Sequence, residues 1–404
     1  MKSYDYIFAG GGLAGLSLAC QIAQSPLRGQ SMLIVDQDAK QRDDRTFSYW
    51  SDQPGPFDAS IYRTWNRLAF HTPGFSCSGP LGSYRYHTIL GIDLYREAHK
   101  ELAACPNVEF LLGRVRSLED APQGAVLTVD TAAGDQVFSG KWAFDSRPHL
   151  PDNPDHQLRL VFVGWDVEAG FDAFDPLTPI LMDFRTRQQG DVRFFYLLPF
   201  SERRALVEYT LFTKQQLDAA GCQAALQDYL SGAFGLSLDQ NCQGKVREED
   251  CLFIMDGPVQ RNQGRHILAI GLRGGLMKPT SGYAFTRIQR DSTAIVHSLL
   301  NDRNPFNLPD APSLYSHLDA FTLEAFTRHP EMVPGTFMKL FQKNPIERIL
   351  HFLDEDISLG EIDKLMFTMP PGLILRVVGG RKTLGRDLVT SYLAFRRQSR
   401  NRIS

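Results

Sequence analysis

The sequence predicts an α/β fold in which a doubly wound parallel sheet is interrupted by an inserted antiparallel sheet and followed by a helical region. Three observations predict it. A short apolar run, Tyr4 to Ala9, passes through a glycine cluster into a small-residue helical stretch, Leu13 to Gln24, and then into a second apolar run, Ser31 to Val35. Four runs rich in β-branched and aromatic residues, Leu158 to Val167, Pro179 to Thr186, Val192 to Leu198 and Ala205 to Phe212, read as strands of one antiparallel sheet, with Pro199 to Arg203 turning the last pair. A late strand, His266 to Ile270, leads through a glycine-rich passage into a helix reaching about Leu300, so the first domain is discontinuous in sequence.

The first glycine cluster has the spacing Gly10-x-Gly12-x-x-Gly15, and the second apolar run ends in Asp36, 21 residues past Gly15. Alone, that spacing is a glycine-rich turn found in unrelated α/β proteins. Strand, helix, strand and terminal acid together make it a dinucleotide fingerprint. The glycines provide a tight turn, room for the backbone to approach a pyrophosphate, and close packing of helix on strand; the amides opening the helix at Leu13 and Ala14 face the anion. Asp36 is placed to hold ribose hydroxyls. The motif occurs once, at the extreme N-terminus, which favours one stably held flavin, FAD, over a reductase with two dinucleotides. Downstream, Gly271, Gly274 and Gly275 follow the late strand, and Pro279-Thr280-Ser281-Gly282-Tyr283 opens the last helix of the domain. Ser281 and Gly282 are expected to face the same flavin.

At 404 residues the chain is long enough for two packed domains. The expected division is 1–150 and 261–303 for the two parts of the cofactor domain, 151–260 for the substrate sheet and 304–404 for a helical, basic C-terminal region. Arg45 to His87 reads as irregular aromatic sequence, a helix is expected from about Lys214 to Gly232, and Asn304 to Ser313, with three prolines, is the linker candidate. Lys and Arg number 43 against 46 Asp and Glu, too balanced for a general nucleic-acid binder. The six cysteines form no CxxC and the ten histidines no HExxH, so no metal centre is expected. The apolar part of the N-terminus is too short and glycine-rich for a secretory leader, and no run of ~18 apolar residues follows, so a cytosolic chain without spanning helices is expected. From Arg376 onward eight basic residues accompany one acid, Asp387, with the apolar stretches Gly372 to Val378 and Leu388 to Phe395 among them. That composition suits a solvated tail, or a surface resting on anionic lipid; peripheral contact with the cytoplasmic membrane face is the expectation.

Several blocks together resemble bacterial lycopene beta-cyclases: GGGLAGLSLA, Arg45-Thr46-Phe47-Ser48-Tyr49-Trp50, DSRP, MDFR at Met182 to Arg185, LLPFSERRALVEYT around Glu208, and GLRGGLMKPTSGYAF from Gly271. The resemblance covers nearly the whole chain. It implies an FAD-binding Rossmann-type domain, glutathione-reductase-like and of the hydroxylase type. It also implies a membrane-peripheral enzyme that closes a β-ionone ring at each end of lycopene, giving β-carotene by way of γ-carotene, with other linear carotenes as related substrates. The flavin is then needed in its reduced form, with NAD(P)H as electron donor, although no atoms are gained or lost. One departure is Leu272, where flavoproteins of this kind commonly carry Asp after the strand-ending glycine.

Ring closure needs a proton on the terminal double bond, shelter for the resulting cation, and a base for the ring proton. A carboxylic acid protonates an alkene only while neutral and dry, and desolvation raises a carboxyl pKa. Glu208 is the sole carboxylate in Ala205 to Phe212, where a period of two places Leu206, Glu208 and Thr210 on one face. Asp183, two residues from Arg185, reads either as half of a structural ion pair or as a second carboxylate that orients the acid or takes the ring proton. Phe195, Tyr196, Tyr209 and Tyr283 offer ring faces to a cation, and each suits a plain core equally well. Two other readings share the fold. A flavin monooxygenase or prenyl-lipid reductase is the first, and Asp145-Ser146 in place of the hydroxylases' Asp-Gly counts against hydroxylation. A non-catalytic prenyl-lipid escort is the second, and the intact glycine motif with Asp36 counts against that.

Overall fold

The computed structural model describes residues 1–148, 157–215, 218–238, 240–254, 259–309 and 313–401. Part of the expected linker (310–312), Arg402 of the basic tail, and two positions near the start of the expected Lys214 helix (216–217) lie outside the described residues.

Five strands run parallel in the order Val108–Leu112, Met32–Asp36, Lys2–Ala9, Gly134–Asp145 and Ile267–Ala269. Both faces of this sheet are covered, which is why its strands read as nearly continuous apolar runs. Tyr6, Phe8 and Ile34 pack against the helices Leu13–Ala23, Gly91–Ala103 and Phe285–Asp302. Ile7, Ala9, Leu33 and Val35 point the other way, onto Ala125, Leu127 and Val129 of an antiparallel meander, Arg114–Ala121 and Gly124–Thr131, that continues from Gly134–Asp145.

The second sheet has seven strands in the order Cys242–Phe253, Arg159–Ala169, Arg204–Thr213, Val192–Pro199, Ile180–Asp183, Arg67–Thr72 and Phe75–Pro80, antiparallel except where Arg67–Thr72 meets Ile180–Asp183. Strand alternation gives it two different faces. Val163, Trp165, Phe195, Val207 and Tyr209 pack under the helix Ala219–Phe234. Leu160, Phe194, Leu198 and Leu206 face the opposite way, toward the body of the molecule.

Three features of this sheet depart from the sequence reading. The stretch from Arg45 to His87 is regular: Thr46–Ser51, Ile61–Trp65 and Arg85–Leu90 form a third, three-stranded sheet, and Arg67–Thr72 and Phe75–Pro80 join the second. Aromatic residues at successive positions there hide the period of two. Cys242–Phe253 is an edge strand whose charges, Lys245, Arg247 and Asp250 among them, mask its pattern, because an edge strand tolerates polar residues on its open side. The strand expected over Pro179 to Thr186 is only Ile180–Asp183, since the Asp183 carboxylate accepts the backbone N–H of Arg185 and turns the chain out of the ladder.

Six helices follow in the described C-terminal region, from Ser313–Arg328 to Lys382–Asn401. Phe341, Ile346 and Leu350 close over the second sheet, with the Phe341 ring stacked on Phe70 at 3.9 Å between centroids. Among the described residues no helix is long and apolar enough to cross a membrane.

Candidate functional site

A cavity of about 680 Å³ lies between the two large sheets. One end is made by glycines. Gly12 caps the helix Leu13–Ala23 in an extended conformation, and no side chain takes up the helix's first amides, so the positive end of its dipole is left facing the cavity that Gly12, Leu13 and Ala14 line. Gly10 and Gly15 lie behind this turn. Gly10 sits at φ +120°, a conformation that favours glycine, and a Cβ on Gly15 would stand 2.1 Å from the Gly10 carbonyl oxygen, so the helix can approach the strand only without one. Asp36 also lies behind the turn. Its Oδ2 accepts the Gly11 N–H at 2.8 Å and its Oδ1 the Asp38 N–H at 2.8 Å, so the carboxylate braces the loop.

The late glycine passage joins the same end. Gly271, at φ +60°, lies where a Cβ would meet the Ala14 side chain at 2.7 Å, and Gly271, Gly275, Ser281 and Gly282 all line the cavity. The hydroxyl of Ser281 is buried without a hydrogen-bond partner. Leu272, standing where an acid is common, also faces the cavity. An acid does serve this turn from below: buried Asp145 accepts Arg273 Nε at 2.9 Å and Arg147 Nε at 2.8 Å, tying the end of one parallel strand to the turn after its neighbour.

The opposite wall is the inner face of the second sheet. Leu206, Glu208 and Thr210 line it together with Leu160 and Leu198. Glu208 stands in register between Tyr196 and Gly164 on the adjacent strands, and the Thr210 hydroxyl donates to Glu208 Oε1 at 3.1 Å. Three phenols gather here. The hydroxyls of Tyr86 and Tyr283 are 2.9 Å apart, and the Tyr196 ring meets that of Tyr283 edge-on at 6.3 Å. Burial pushes the Tyr86 phenol up to about 12, and pushes Tyr196 and Tyr283 well above the ordinary tyrosine value, so all three are neutral at physiological pH. Tyr196 stands opposite Glu208 in register, and all three phenols line the cavity with it.

Three of the expected site residues are elsewhere. Phe195 and Tyr209 lie on the far face of the second sheet, where Phe195 stacks on Tyr229 of the covering helix at 3.9 Å and on Tyr209 at 4.7 Å. The same alternation that turns Glu208 inward turns Tyr209 outward, and Phe195, which faces Tyr209 in register, goes with it. Asp183 is 0% exposed and also turns to that helix: Arg185 holds it through Nε at 2.9 Å and Nη2 at 2.6 Å, and the Tyr229 hydroxyl donates at 2.8 Å. Burial acts to raise its pKa; the guanidinium, the Arg185 N–H and the phenol outweigh burial and hold the carboxyl below its usual range. Of its two readings, the structural ion pair is the one the contacts describe. Among the described residues, the carboxylates lining the cavity are Glu208 and Asp250, and Asp250 is paired with Arg45 at 2.8 Å. Tyr86, which the sequence reading did not name, comes from the stretch taken as irregular; the alternation in Arg85–Leu90 was its only signal.

Solved structures share this architecture. The anhydrotetracycline hydroxylase OxyS of Streptomyces rimosus matches with a TM-score of 0.59 at 13% identity, covering 88% of this chain and 77% of its own. A flavoprotein/dehydrogenase of Cytophaga hutchinsonii reaches 0.60 at 12% identity, covering 87% and 92%. The fold is therefore the α/β FAD-binding fold that flavin-dependent enzymes use. Sequence narrows it further. The lycopene cyclase protein family model matches residues 5–378, so the chain belongs to the lycopene cyclase family and is a carotenoid cyclase. The lycopene beta-cyclase of Paracoccus sp. (strain N81106 / MBIC 01143) is 28% identical over 300 residues, 70% of this chain and 70% of that one.

The glycines separate by role. A Cβ on Gly12 meets nothing within 4 Å, whereas one on Gly15 meets backbone. Gly15→Ala is expected to cost about 1–3 kcal/mol in urea unfolding of the ligand-free protein, as overpacking does, and Gly12→Ala less than about 0.5 kcal/mol. Equal losses in the two variants would contradict this division.

Proposed function

We propose that this protein is a lycopene beta-cyclase, converting lycopene through γ-carotene to β-carotene, with FAD at the glycine end of the cavity and Glu208 as the acid at the other. The observation that carries the reading is that both ends belong to one cavity. The residues at the glycine end fit a dinucleotide: open space over Gly12, uncapped helix amides and the orphaned Ser281 hydroxyl are what a pyrophosphate and a flavin ring would occupy. Reduced FAD, regenerated by NAD(P)H, would supply negative charge beside a carbocation in a water-poor site, which gives a redox cofactor a part in a reaction without net redox change.

The chain's own residues carry the proton chemistry. Glu208, oriented by Thr210, gives its proton to the terminal double bond of the polyene. The next double bond attacks the resulting tertiary cation and forms the ring. Loss of a ring proton leaves its electron pair as the new alkene, and the carboxylate left on Glu208 is the group placed to take that proton. Tyr196 and Tyr283 offer ring faces, worth ~0.5–2 kcal/mol each to a well-placed cation. Leu160, Leu198 and Leu206 keep that wall apolar. Asp183, with Tyr229 and Arg185, supports the strand from behind. A monooxygenase or reductase reading has no comparable need for an acid in the sheet wall.

Peripheral membrane contact belongs to the same proposal. Phe367 is 88% and Leu375 74% exposed on the C-terminal helices, with Val389 and Leu393 also exposed and Arg376 and Arg386 nearby in sequence, the mixture that suits an anionic lipid surface and a substrate that dissolves in bilayers.

Two experiments test these statements. In bacteria engineered to accumulate lycopene, the wild-type chain should shift the pigment to β-carotene on chromatography. Glu208→Gln should purify with full flavin yet lower cyclisation by at least about a hundredfold, the scale of a lost general acid; substantial β-carotene from that variant would remove Glu208 as the donor. In sedimentation with vesicles, binding should require phosphatidylglycerol and fall about tenfold in the Phe367→Ser/Leu375→Ser double variant, the order expected for two lost apolar anchors. Equal binding to purely zwitterionic vesicles would refute the charge argument.

A further inference from the structure

Behind the cavity wall lies a cluster of charges that the proposed chemistry does not use. Lys278 is 3% exposed, and its neighbours Met277 and Pro279 line the cavity while its own side chain turns away from it. Lys278 Nζ donates to Asp319 Oδ1 at 3.0 Å and Oδ2 at 3.2 Å, and to Glu355 Oε1 at 3.0 Å. Thr280 Oγ1 donates to Asp319 Oδ1 at 3.0 Å, and Arg287 Nη2 to Glu355 at 3.2 and 3.3 Å. Asp319 belongs to the helix Ser313–Arg328, and Glu355 to the corner after Ile346–Leu353, so both acids come from the C-terminal region. Glu355, at φ +60°, is the left-handed residue that ends the helix Ile346–Leu353.

Lys278 is also the backbone hub of its own turn. Its carbonyl accepts the Gly282 N–H at 2.9 Å and the Ser281 N–H at 3.3 Å, and its N–H donates to the Tyr283 carbonyl at 2.8 Å. Lys278 and its two carboxylate partners are largely buried, with Arg287 at the edge, and such a set adds little net stability over apolar packing because desolvation offsets most of the attraction; fixing the register of the segments it joins is the role left for it here.

We propose that Lys278 is a positioning residue, through which Asp319 and Glu355 of the C-terminal region fix the 278–283 turn and with it Ser281 at the cofactor end and Tyr283 beside the acid. This rests on the reading of that turn as the flavin-facing wall. The C-terminal helices thereby become part of the active site without touching substrate.

The test uses the full-length protein with FAD. In Lys278→Met, amide exchange across 278–283 should accelerate at least about tenfold, as in a locally opened segment, and the visible circular dichroism of the bound flavin should change. Turnover of lycopene in vesicles should drop in kcat by about ten- to a hundredfold with KM within about twofold, the pattern of misplaced rather than missing groups. Glu355→Gln, nearly isosteric, should move every readout the same way by less, and it decides the matter if Lys278→Met does not fold. Unchanged exchange in the turn overturns the proposal, as does a loosened turn with wild-type flavin dichroism and kcat. If the wild-type chain binds no FAD, the flavin reading fails by itself, while the exchange measurement still decides whether Lys278 fixes the turn.

Discussion

A carboxyl group can hand its proton to a hydrocarbon only where water does not compete for it, and the role proposed for Glu208 rests on that constraint. Its strand is interior to the second sheet, paired on both sides, with the helix Ala219–Phe234 over one face and the cavity on the other. The C-terminal helices bring Phe341 and Ile346 against the strands beyond Asp183, and the small third sheet brings Tyr86 to the rim where the phenols meet. Thr210, on the same strand face, donates to Glu208 and orients it locally.

The nucleotide loops do not distinguish a cyclase from its neighbours in fold. An identity of 11–13% to a hydroxylase, a reductase-like protein and a flavoprotein carries architecture alone. What separates the chemistries is the opposite wall. A hydroxylating flavin needs room for oxygen and a polar ring; a cyclase needs one proton donor in apolar surroundings and ring faces for a cation. Leu160, Leu198 and Leu206 beside Glu208, with three neutral phenols lining the same cavity, support the proposed cyclase reading.

How much of this was legible in sequence follows from which forces are local. The strand–glycine–helix–strand unit was legible because its geometry is dictated within 36 residues. The inward face of Leu206, Glu208 and Thr210 was legible because alternation is a property of one strand. Alternation also assigns Tyr209 to the other side, and grouping it with Tyr196 as a substrate contact set that rule aside for the sake of composition. Asp183 shows the opposite limit. Its side follows from Tyr229, 46 residues away, and from a turn that its own carboxylate makes, neither of which a four-residue run discloses. Tyr86 and the edge strand Cys242–Phe253 were obscured by aromatic density and by charge, respectively.

The cofactor loops and the acid belong to different sheets, so no single backbone fixes the distance between them. Contacts across the joint must do so, and several among the described residues are specific. Gly282, at φ +79°, is favoured there by conformation, and Leu160 packs over it with its Cδ2 2.4 Å from where a Cβ would be. Gly271 fits against Ala14, Tyr283 bonds to Tyr86, and Lys278 anchors the intervening turn to Asp319 and Glu355. Small residues permit the close approach, and directional bonds select one geometry out of those that packing alone would allow. A change of a few tenths of an ångström at this joint moves the cofactor end relative to Glu208 while leaving both sheets intact. On the proposed reading, residues at this joint that neither bind nor react would still govern how the two ends of the cavity meet.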